Sequence, residues 1–181
     1  MYKNWEELEN ECRKCKKCKL CNNRKNVVIG SGNKNAKILF IGEGPGAEED
    51  EQGIPFVGKA GKLMNKAFDG IGINREDVYI ANIVKCRPPQ NRNPEKDETE
   101  ACLEYLKAQI DLINPKIIVL LGSIALKNYL NEEFTITSCR GKWFEKEGRK
   151  IFATFHPAAL LRDEAKKILF WKDLKTIVKN I

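Results

Sequence analysis

Residues 37–50 read KILFIGEGPGAEED, an apolar run that ends in a glycine-rich, acidic loop. A short apolar run that stops at glycine is typical of a strand buried on both faces of a sheet. The glycines at 42, 44 and 46 allow the backbone of the loop to approach a ligand closely. Because ligands of α/β proteins bind at the carboxyl ends of the strands, this stretch predicts where a functional site lies.

Strands and helices alternate outward from this stretch. Further strands are predicted at 78–84, 116–121 and 150–154. Helices are predicted at 59–68, between Asn93 and Pro115, at 123–130 and at 165–181. The alternation favours an α/β fold, a three-layer αβα sandwich with a central, mostly parallel sheet, in a single domain spanning residues 1–181.

Composition excludes several classes of protein. The chain has 181 residues, with 32 Lys and Arg against 25 Asp and Glu, and a formal net charge of +7. A 42% share of hydrophobic residues is too high for a disordered chain. No apolar stretch approaches the roughly 20 residues that cross a bilayer, and the N-terminus lacks the apolar core of a signal peptide. We therefore expect a cytoplasmic protein with no membrane association.

Two glycine-containing loops resemble nucleotide-binding motifs, and both fail as such. GEGPG at 42–46 has the spacing G-x-G-x-G rather than G-x-G-x-x-G, and the acidic residues around it make a poor phosphate cradle. The loop at 53–60 resembles a P-loop, but Ala60 stands where Ser or Thr must bind magnesium. Nucleotide hydrolysis is therefore rejected.

Two polar side chains follow other predicted strands. Asn82 lies near the end of the second strand, where its amide can read a base edge with a paired donor and acceptor, or can bond to backbone in a structural role. His156 is the only histidine and lies in the loop after the strand at 150–154. A lone histidine is more often structural than catalytic, although loops at this edge concentrate chemistry.

The cysteines form the third unusual feature. Four of them, Cys12, Cys15, Cys18 and Cys21, lie in a basic segment at 12–25 that has seven Lys and Arg and no acidic residue. In a reducing compartment, cysteines are thiols or metal ligands rather than disulfides. One C-x-x-C pair completed by two later cysteines forms a four-thiolate site for zinc or an iron–sulfur cluster, and the spacing does not decide between them. An ordinary core role for Cys102 on its helix is the competing interpretation.

Taken together, the motifs resemble the type-4 uracil-DNA glycosylases, the iron–sulfur branch of the uracil-DNA glycosylase superfamily. The matching segments span nearly the whole chain in the family's order: CKKCKL at 15–20 with Arg24, GEGPG-x-EED at 42–50 with GIPFVGKAG at 53–61, YIANIVKCRPPQNR-x-P at 79–94, and HPAALLR at 156–162. The resemblance implies the superfamily fold and a monofunctional hydrolase acting on uracil-containing DNA. Water is then the nucleophile, free uracil and an abasic site are the products, and we expect a monomer.

The resemblance also implies roles for individual residues. The 4Fe–4S cluster would be held by Cys15, Cys18, Cys86 and Cys102. Cys12 and Cys21 depart from the family pattern and leave the choice of the C-x-x-C pair open, and Cys139 has no assigned role. Phe56 would stack on the flipped base, Glu43 and Gly44 would line the pocket, and Asn82 would bond the Watson–Crick edge of uracil. His156 would donate to the uracil oxygen where negative charge grows.

Two positions depart from the best-known branch of the superfamily. Gly44 replaces the aspartate that orients the attacking water there, so Glu43, Glu49, Asn82 or main-chain oxygens must hold it here. Gly46 replaces a tyrosine that excludes the methyl group of thymine, which leaves that task to another residue such as Glu49.

DNA contacts are expected from the resemblance and from the distribution of positive charge. Leu160 would insert into the base stack, and DNA-binding side chains are expected at Lys85, Arg87, Arg92 and Arg162. Two alternatives to the enzyme are a non-catalytic iron–sulfur DNA-binding protein of the same fold and a structural zinc protein with an ordinary α/β core.

Overall fold

A six-stranded mixed sheet forms the middle layer of the protein. The computed structural model describes residues 1–181. The spatial order of the strands is β1-β3-β2-β4-β6-β5. The four central strands are parallel, and β1 and β5 are antiparallel at the two edges. The strands are β1 Ser31–Gly32, β2 Ile38–Gly42, β3 Tyr79–Asn82, β4 Ile117–Leu121, β5 Trp143–Lys146 and β6 Arg149–Thr154.

Helices cover both faces of the sheet, so the expected α/β class with a mostly parallel sheet is confirmed. The helices are α1 Trp5–Arg13, α2 Ala47–Gln52, α3 Lys59–Ile71, α4 Lys96–Ile113, α5 Gly122–Tyr129, α6 Ile136–Cys139 and α7 Glu164–Val178. Short 3-10 helices lie at Lys19–Asn22, Arg75–Asp77, Pro89–Asn91 and Pro157–Leu160. None of the helices is long and apolar enough to cross a bilayer.

The alternation of side chains along β2 divides the core in two. Leu39 and Ile41 belong to the apolar cluster that includes residues of α1 and α4, whereas Ile38 and Phe40 belong to the cluster that includes residues of α3 and α7. All five residues of β2 are buried, which is why its sequence is continuously apolar. Full burial of one such side chain stabilises the fold by about 1.5–3 kcal/mol.

The carboxyl ends of the parallel strands meet at one edge of the sheet. Gly42 at the end of β2 is paired in register with Asn82 at the end of β3. Gly122, which follows β4, has a φ of 87°, and a Cβ atom there would lie 2.7 Å from the Cβ of His156. A glycine at this position therefore allows the loop after β6 to pack against the end of β4.

Candidate active site

A cavity of about 580 Å³ opens at this edge of the sheet. Its walls come from the loop after β2, the turn before α3, the end of β3 with the loop that follows, and the loop after β6. The site residues predicted from the sequence that line it are Glu43, Gly44, Glu49, Phe56, Asn82, Arg92 and His156. Four segments distant in sequence thus converge on one concave surface, as expected of a ligand site in an α/β protein.

The Asn82 side chain carries an unsatisfied hydrogen-bonding group in this cavity. Asn82 is only 1% exposed, and its Oδ1 atom has no hydrogen-bond partner in the protein. A Cβ atom at Gly42 would lie 2.5 Å from this oxygen, so the glycine leaves room for the amide. Buried polar atoms are normally paired, and leaving one unpaired costs about 1–3 kcal/mol. An unpaired acceptor in a cavity wall therefore favours a ligand that donates to it.

The environment of His156 keeps its imidazole uncharged. Burial lowers the pKa of His156 from 6.5 to about 4, and the nearby charge of Glu49 opposes this only in part. The Nδ1 atom accepts a hydrogen bond of 3.1 Å from the backbone N–H of Ala158. Since Nδ1 is an acceptor, the single proton of the neutral ring resides on Nε2. His156 thus provides a neutral N–H donor at the cavity.

An aromatic ring forms another wall of the cavity. Phe56 is 5% exposed, and its ring centroid lies 5.4 Å from that of His156, with 30° between the ring planes. A Cβ atom at Gly42 would lie 2.6 Å from the Phe56 Cζ atom. Replacing this glycine would therefore push both the ring and the Asn82 amide, so Gly42 shapes the cavity although it does not line it.

Glu43 and Glu49, the two acidic residues of the cavity predicted from the sequence, differ in their hydrogen bonding. Both carboxylate oxygens of Glu49 are bonded to backbone: Oε1 accepts from Val57 N–H at 3.2 Å and Gly58 N–H at 3.1 Å, and Oε2 accepts from Gly46 N–H at 3.2 Å. Burial raises the pKa of Glu43, and no hydrogen bond or neighbouring charge counteracts it. Glu49 therefore braces the loops, whereas the Glu43 carboxylate remains available to a ligand.

The predicted cluster ligands come together in one region behind this edge. Cys86 and Cys102 are buried in the apolar cluster that includes α1 and α4 residues, and half-buried Cys15 and Cys18 pack against it. All seven cysteines are free thiols, and Cys139 is buried. No group of three or more histidine, cysteine or acidic side chains lies close enough together to hold a metal ion. The structure therefore places the four cysteines in one neighbourhood without closing them into a ligand set.

Hydrogen-bond donors point at two of these sulfurs. Arg24 Nη1 lies 3.5 Å from the Sγ of Cys86, and the backbone N–H of Lys85 donates to the Sγ of Cys102 at 3.3 Å. Burial raises the pKa of Cys102 to about 12, with the nearby Lys85 charge lowering it in part. These donors suit sulfur atoms that carry negative charge.

Two of the predicted DNA contacts have buried side chains in this structure. Lys85 is 1% exposed, and its Nζ donates to the carbonyl oxygen of Asn82 at 2.8 Å and to Oε1 of Gln109 at 2.6 Å. Leu160 is also 1% exposed and packs in the apolar cluster of α3 and α7, whereas its neighbour Leu161 is 43% exposed. Neither side chain faces solvent as a DNA contact requires.

The other predicted basic contacts lie at or near the surface. Arg162 is exposed, and half-buried Arg87 donates to the Oδ1 of Asn91 at 2.9 Å. Arg92 lines the cavity and forms a bidentate ion pair with Glu98, with N–O distances of 2.9 and 2.7 Å. Much of the charge in the basic segment at 12–25 is likewise paired, in the ion pairs Lys17–Glu104, Lys19–Glu95 and Lys25–Glu51.

The fold and the cavity define a class of protein. The family model of the uracil DNA glycosylase superfamily matches residues 29–175. A type-4 uracil-DNA glycosylase of Thermotoga maritima is 49% identical over 150 residues, which are 81% of this chain and 77% of the relative. The type-4 enzyme of Saccharolobus solfataricus is 46% identical over 179 residues, 94% of this chain and 83% of the relative.

Sequence identity separates the type-4 relatives from a type-5 relative. A type-5 uracil-DNA glycosylase of Pyrobaculum aerophilum is 28% identical over 149 residues, whereas the type-4 protein of the same organism is 43% identical over 161 residues. The chain therefore belongs to the type-4 family of uracil-DNA glycosylases, and the resemblance expected from the motifs is confirmed.

Three further residues shape the site, and only one of them, Arg75, carries no recognisable signal in the sequence. Arg75 donates to the main-chain carbonyls of the Phe56 turn but is separated from it by helix α3. Gly42 belongs to the quoted GEGPG motif, and its position at the end of a strand was a usable signal. Gly122 likewise follows a predicted strand directly.

Proposed function

We infer that this protein is a DNA-repair glycosylase that hydrolyses the N-glycosidic bond of deoxyuridine in DNA, releasing uracil and leaving an abasic site. The observation that carries this inference is the buried, unpaired Oδ1 atom of Asn82 in a cavity that also contains a neutral histidine. The similarity to the type-4 uracil-DNA glycosylases supports the same activity.

The Asn82 amide matches uracil and opposes cytosine. Its Oδ1 accepts from N3–H of uracil, and its Nδ2 donates to O4. Cytosine presents the reverse pattern, so a fixed amide would leave buried polar groups unpaired against it. The cavity reads a base only after the nucleotide has left the duplex, because these atoms lie in a recess and not on a protruding element.

His156 fits the role of the electrostatic catalyst. Its neutral Nε2–H can donate to the O2 atom of uracil, where negative charge accumulates as the glycosidic bond breaks. A donor already fixed by the Ala158 contact stabilises that charge without reorganisation during the reaction. Proton transfer from His156 is not required, because the leaving uracil departs as a stabilised anion.

Glu43 is better placed than Glu49 to orient the attacking water. Its carboxylate is half-buried with no protein donor, whereas Glu49 already accepts three backbone N–H groups. A Cβ atom at Gly46 would lie 2.9 Å from Oε2 of Glu49, so this carboxylate lies over the glycine. We propose that Glu49 holds the two loops together through these hydrogen bonds. Its carboxylate also leaves no room near Gly46 for a bulky group such as the methyl group of thymine.

We place the main DNA contacts at the turn that follows His156. The exposed leucine of this turn is Leu161, and we assign to it the apolar contact with the base stack that buried Leu160 cannot make. Arg162 follows in an exposed position suited to a phosphate. Arg87 near the cavity rim provides a second basic group.

We propose that Cys15, Cys18, Cys86 and Cys102 hold a 4Fe–4S cluster, as the resemblance to the type-4 family implies. Donors from Arg24 and from the Lys85 backbone already point at two of the sulfurs, and the buried ammonium of Lys85 has no carboxylate partner. Anionic ligated sulfurs would supply the counter-charge. A bound cluster would link the N-terminal segment, the loop after β3 and α4, which is a structural role away from the cavity.

A cleavage assay tests the proposed activity directly. Purified protein is incubated with an oligonucleotide containing one deoxyuridine, and abasic sites are then cut with alkali. We expect cleavage at the uracil and no cleavage of the matched thymine oligonucleotide. Binding to DNA without any base release would support the non-catalytic alternative and overturn the proposal.

Replacing a cluster ligand is expected to remove the metal and lower stability. Cys86→Ser should lose the iron, the labile sulfide and the brown colour of the protein, because serine is a poor cluster ligand. The melting temperature should fall by about 2–4 °C for each kcal/mol of stability lost. Cys139→Ser, which removes a buried cysteine with no assigned role, is the control and should keep its iron. Colourless wild-type protein with one bound zinc would contradict the cluster.

The pH dependence of the reaction should reflect the lowered pKa of His156. Because this pKa is about 4 rather than 6.5, the neutral donor persists on the acid side, and the rate of base release should not fall near pH 6.5. The unfolded chain binds the extra proton between these two values, so stability should decrease as the pH falls from about 6.5 towards 4. Single-turnover rates and melting temperatures across this range test both statements. A rate that halves near pH 6.5 would show that the imidazole titrates normally.

A further inference from the structure

The turn at residues 55–58 holds its aromatic side chain in an unusual backbone conformation. Phe56 has a φ of 54°, in the left-handed region that non-glycine residues rarely occupy. Such a conformation costs on the order of 1–3 kcal/mol and persists only where surrounding contacts hold it. The ring of this residue forms a wall of the cavity beside His156, so the contacts that hold the turn also determine the shape of the cavity.

Arg75 supplies the contacts on one side of the turn. Its Nη1 donates to the carbonyl oxygen of Phe56 at 2.7 Å and to Oδ1 of Asn65 at 2.9 Å, and its Nη2 donates to the carbonyl oxygen of Pro55. The guanidinium is half-buried and lies within ion-pair distance of no carboxylate. Its donors are therefore directed at two successive main-chain carbonyls and not at a charge partner.

Glu49 supplies the contacts on the other side. Its Oε1 accepts from the backbone N–H groups of Val57 and Gly58, the two residues that follow Phe56. Helix α3 closes the remaining side, since a Cβ atom at Gly61 would lie 1.9 Å from the carbonyl oxygen of Phe56. A cation on the carbonyls and an anion on the amides thus fix the three successive peptide groups between Pro55 and Gly58.

We propose that Arg75 is a positioning residue for base recognition, which holds the Phe56 ring beside His156 in the orientation that a flipped planar base requires. Arg75 does not line the cavity and acts only through the Phe56 turn. The inference rests on the proposed function for its ligand, uracil. A site that is already in the bound geometry avoids the cost of ordering it on binding, and a displacement of about 1 Å can cost 10²-fold in rate.

Arg75→Met tests the proposal, because methionine retains an unbranched side chain and removes every donor. We expect free uracil to bind about 10–100-fold more weakly and single-turnover release to slow by a similar factor. Affinity for duplex DNA without uracil should stay within about twofold, since Arg75 faces the turn and not the surface. Arg75→Lys, which keeps the charge and can reach one carbonyl, should recover part of the loss.

Arg149→Met is the matched control. Arg149 is likewise a half-buried arginine, with a side chain 15% exposed, and it pairs with Asp111 and Glu147 away from the cavity. This variant should lower the melting temperature and leave uracil affinity unchanged. If Arg75→Met binds uracil as wild type does, or if Arg149→Met weakens binding equally, Arg75 has only a general structural role and the proposal is overturned.

Hydrogen exchange separates this proposal from the proposed activity. Loss of the Arg75 contacts should speed amide exchange at Val57 and Gly58 in Arg75→Met and not in Arg149→Met. If the wild-type protein releases no uracil, the proposed function fails, but this comparison still shows whether Arg75 holds the turn. Should Arg75→Met not fold, Arg75→Lys is measured in its place. If amide exchange, uracil affinity and the rate of uracil release in Arg75→Lys all equalled the wild-type values, the proposal would be overturned.

Discussion

Asn82→Asp is expected to lower the rate of uracil release by about 10²–10³-fold, because a site built to pair with a base loses much of its binding when one partner is changed. The ionised carboxylate can only accept hydrogen bonds, so it still takes N3–H of uracil but faces O4 with a second negative oxygen. The position is 1% exposed, which removes the water that would otherwise screen that repulsion.

The same substitution should narrow the preference for uracil over cytosine. A buried carboxyl group tends to take up a proton, and in that form it can donate to N3 of cytosine and accept from its amino group. Rates on oligonucleotides containing a single uracil or a single cytosine measure both effects. Asn128→Asp, which introduces the same charge at a second cavity away from the first, is the control. Unchanged uracil release by Asn82→Asp would remove Asn82 from base recognition.

Most of the elements that position the site could be predicted from the sequence because burial imposes a simple pattern on them. Strands β2 and β4 are buried along their whole length, and their apolar runs end where the strands end. The edge strands β1 and β5 were not predicted. β1 has only two residues, and β5 is half-buried with no apolar alternation. Edge strands gain little from burial, so their sequences carry little pattern.

The ends of elements were less predictable than their existence. The strand expected at 78–84 ends at Asn82, although the backbone N–H groups of Ile83 and Val84 still donate to the carbonyls of Gly42 and Glu43. This continued pairing holds the loop after β3 beside the acidic loop after β2. The apolar character of both residues reflects burial beyond the strand itself.

The residues of the candidate site likewise include some that the sequence predicts and others that only the structure shows. Residues that follow strands directly, such as Asn82 and His156, converge because the parallel topology brings strand ends together. Lys85 was assigned to DNA on the basis of its charge and Leu160 on the basis of the resemblance, and both are buried. Only the tertiary structure shows that the Lys85 ammonium finds two carbonyl-type acceptors inside the protein. Arg75 had no signal because two of its three partners are main-chain carbonyls, which every residue has.

The cysteine spacing left zinc and iron–sulfur equally open. The surroundings of the sulfurs favour metal-bound thiolates: a guanidinium nitrogen lies 3.5 Å from the Sγ of Cys86, and the backbone N–H of Lys85 donates to the Sγ of Cys102 at 3.3 Å. Such donors stabilise the negative charge of ligated thiolates and tune the potential of iron–sulfur clusters. Spacing along the chain cannot reveal them, because Arg24 and Cys86 are far apart in sequence.

His156→Asn is expected to slow uracil release by about 10²–10³-fold while leaving the fold intact, because it removes one preorganised donor to a developing oxyanion. Asparagine is a preferred residue at the start of a helical turn, so its side-chain oxygen can accept from the Ala158 N–H in place of Nδ1. It is too short to bring a donor to the position of Nε2. His156→Ala removes both functions and should lose stability as well as rate.

Comparing the two variants separates structure from catalysis. If the role of His156 were only to cap the 3-10 helix at Pro157–Leu160, His156→Asn would release uracil at nearly the wild-type rate and His156→Ala would not. If His156 stabilises charge on the departing base, both variants are slow and only the alanine variant also melts earlier. Uracil affinity should fall much less than the rate in His156→Asn, because this donor contributes most when the glycosidic bond is breaking. Equal losses in affinity and rate would place the contact in ground-state binding, and transition-state stabilisation by His156 would be refuted.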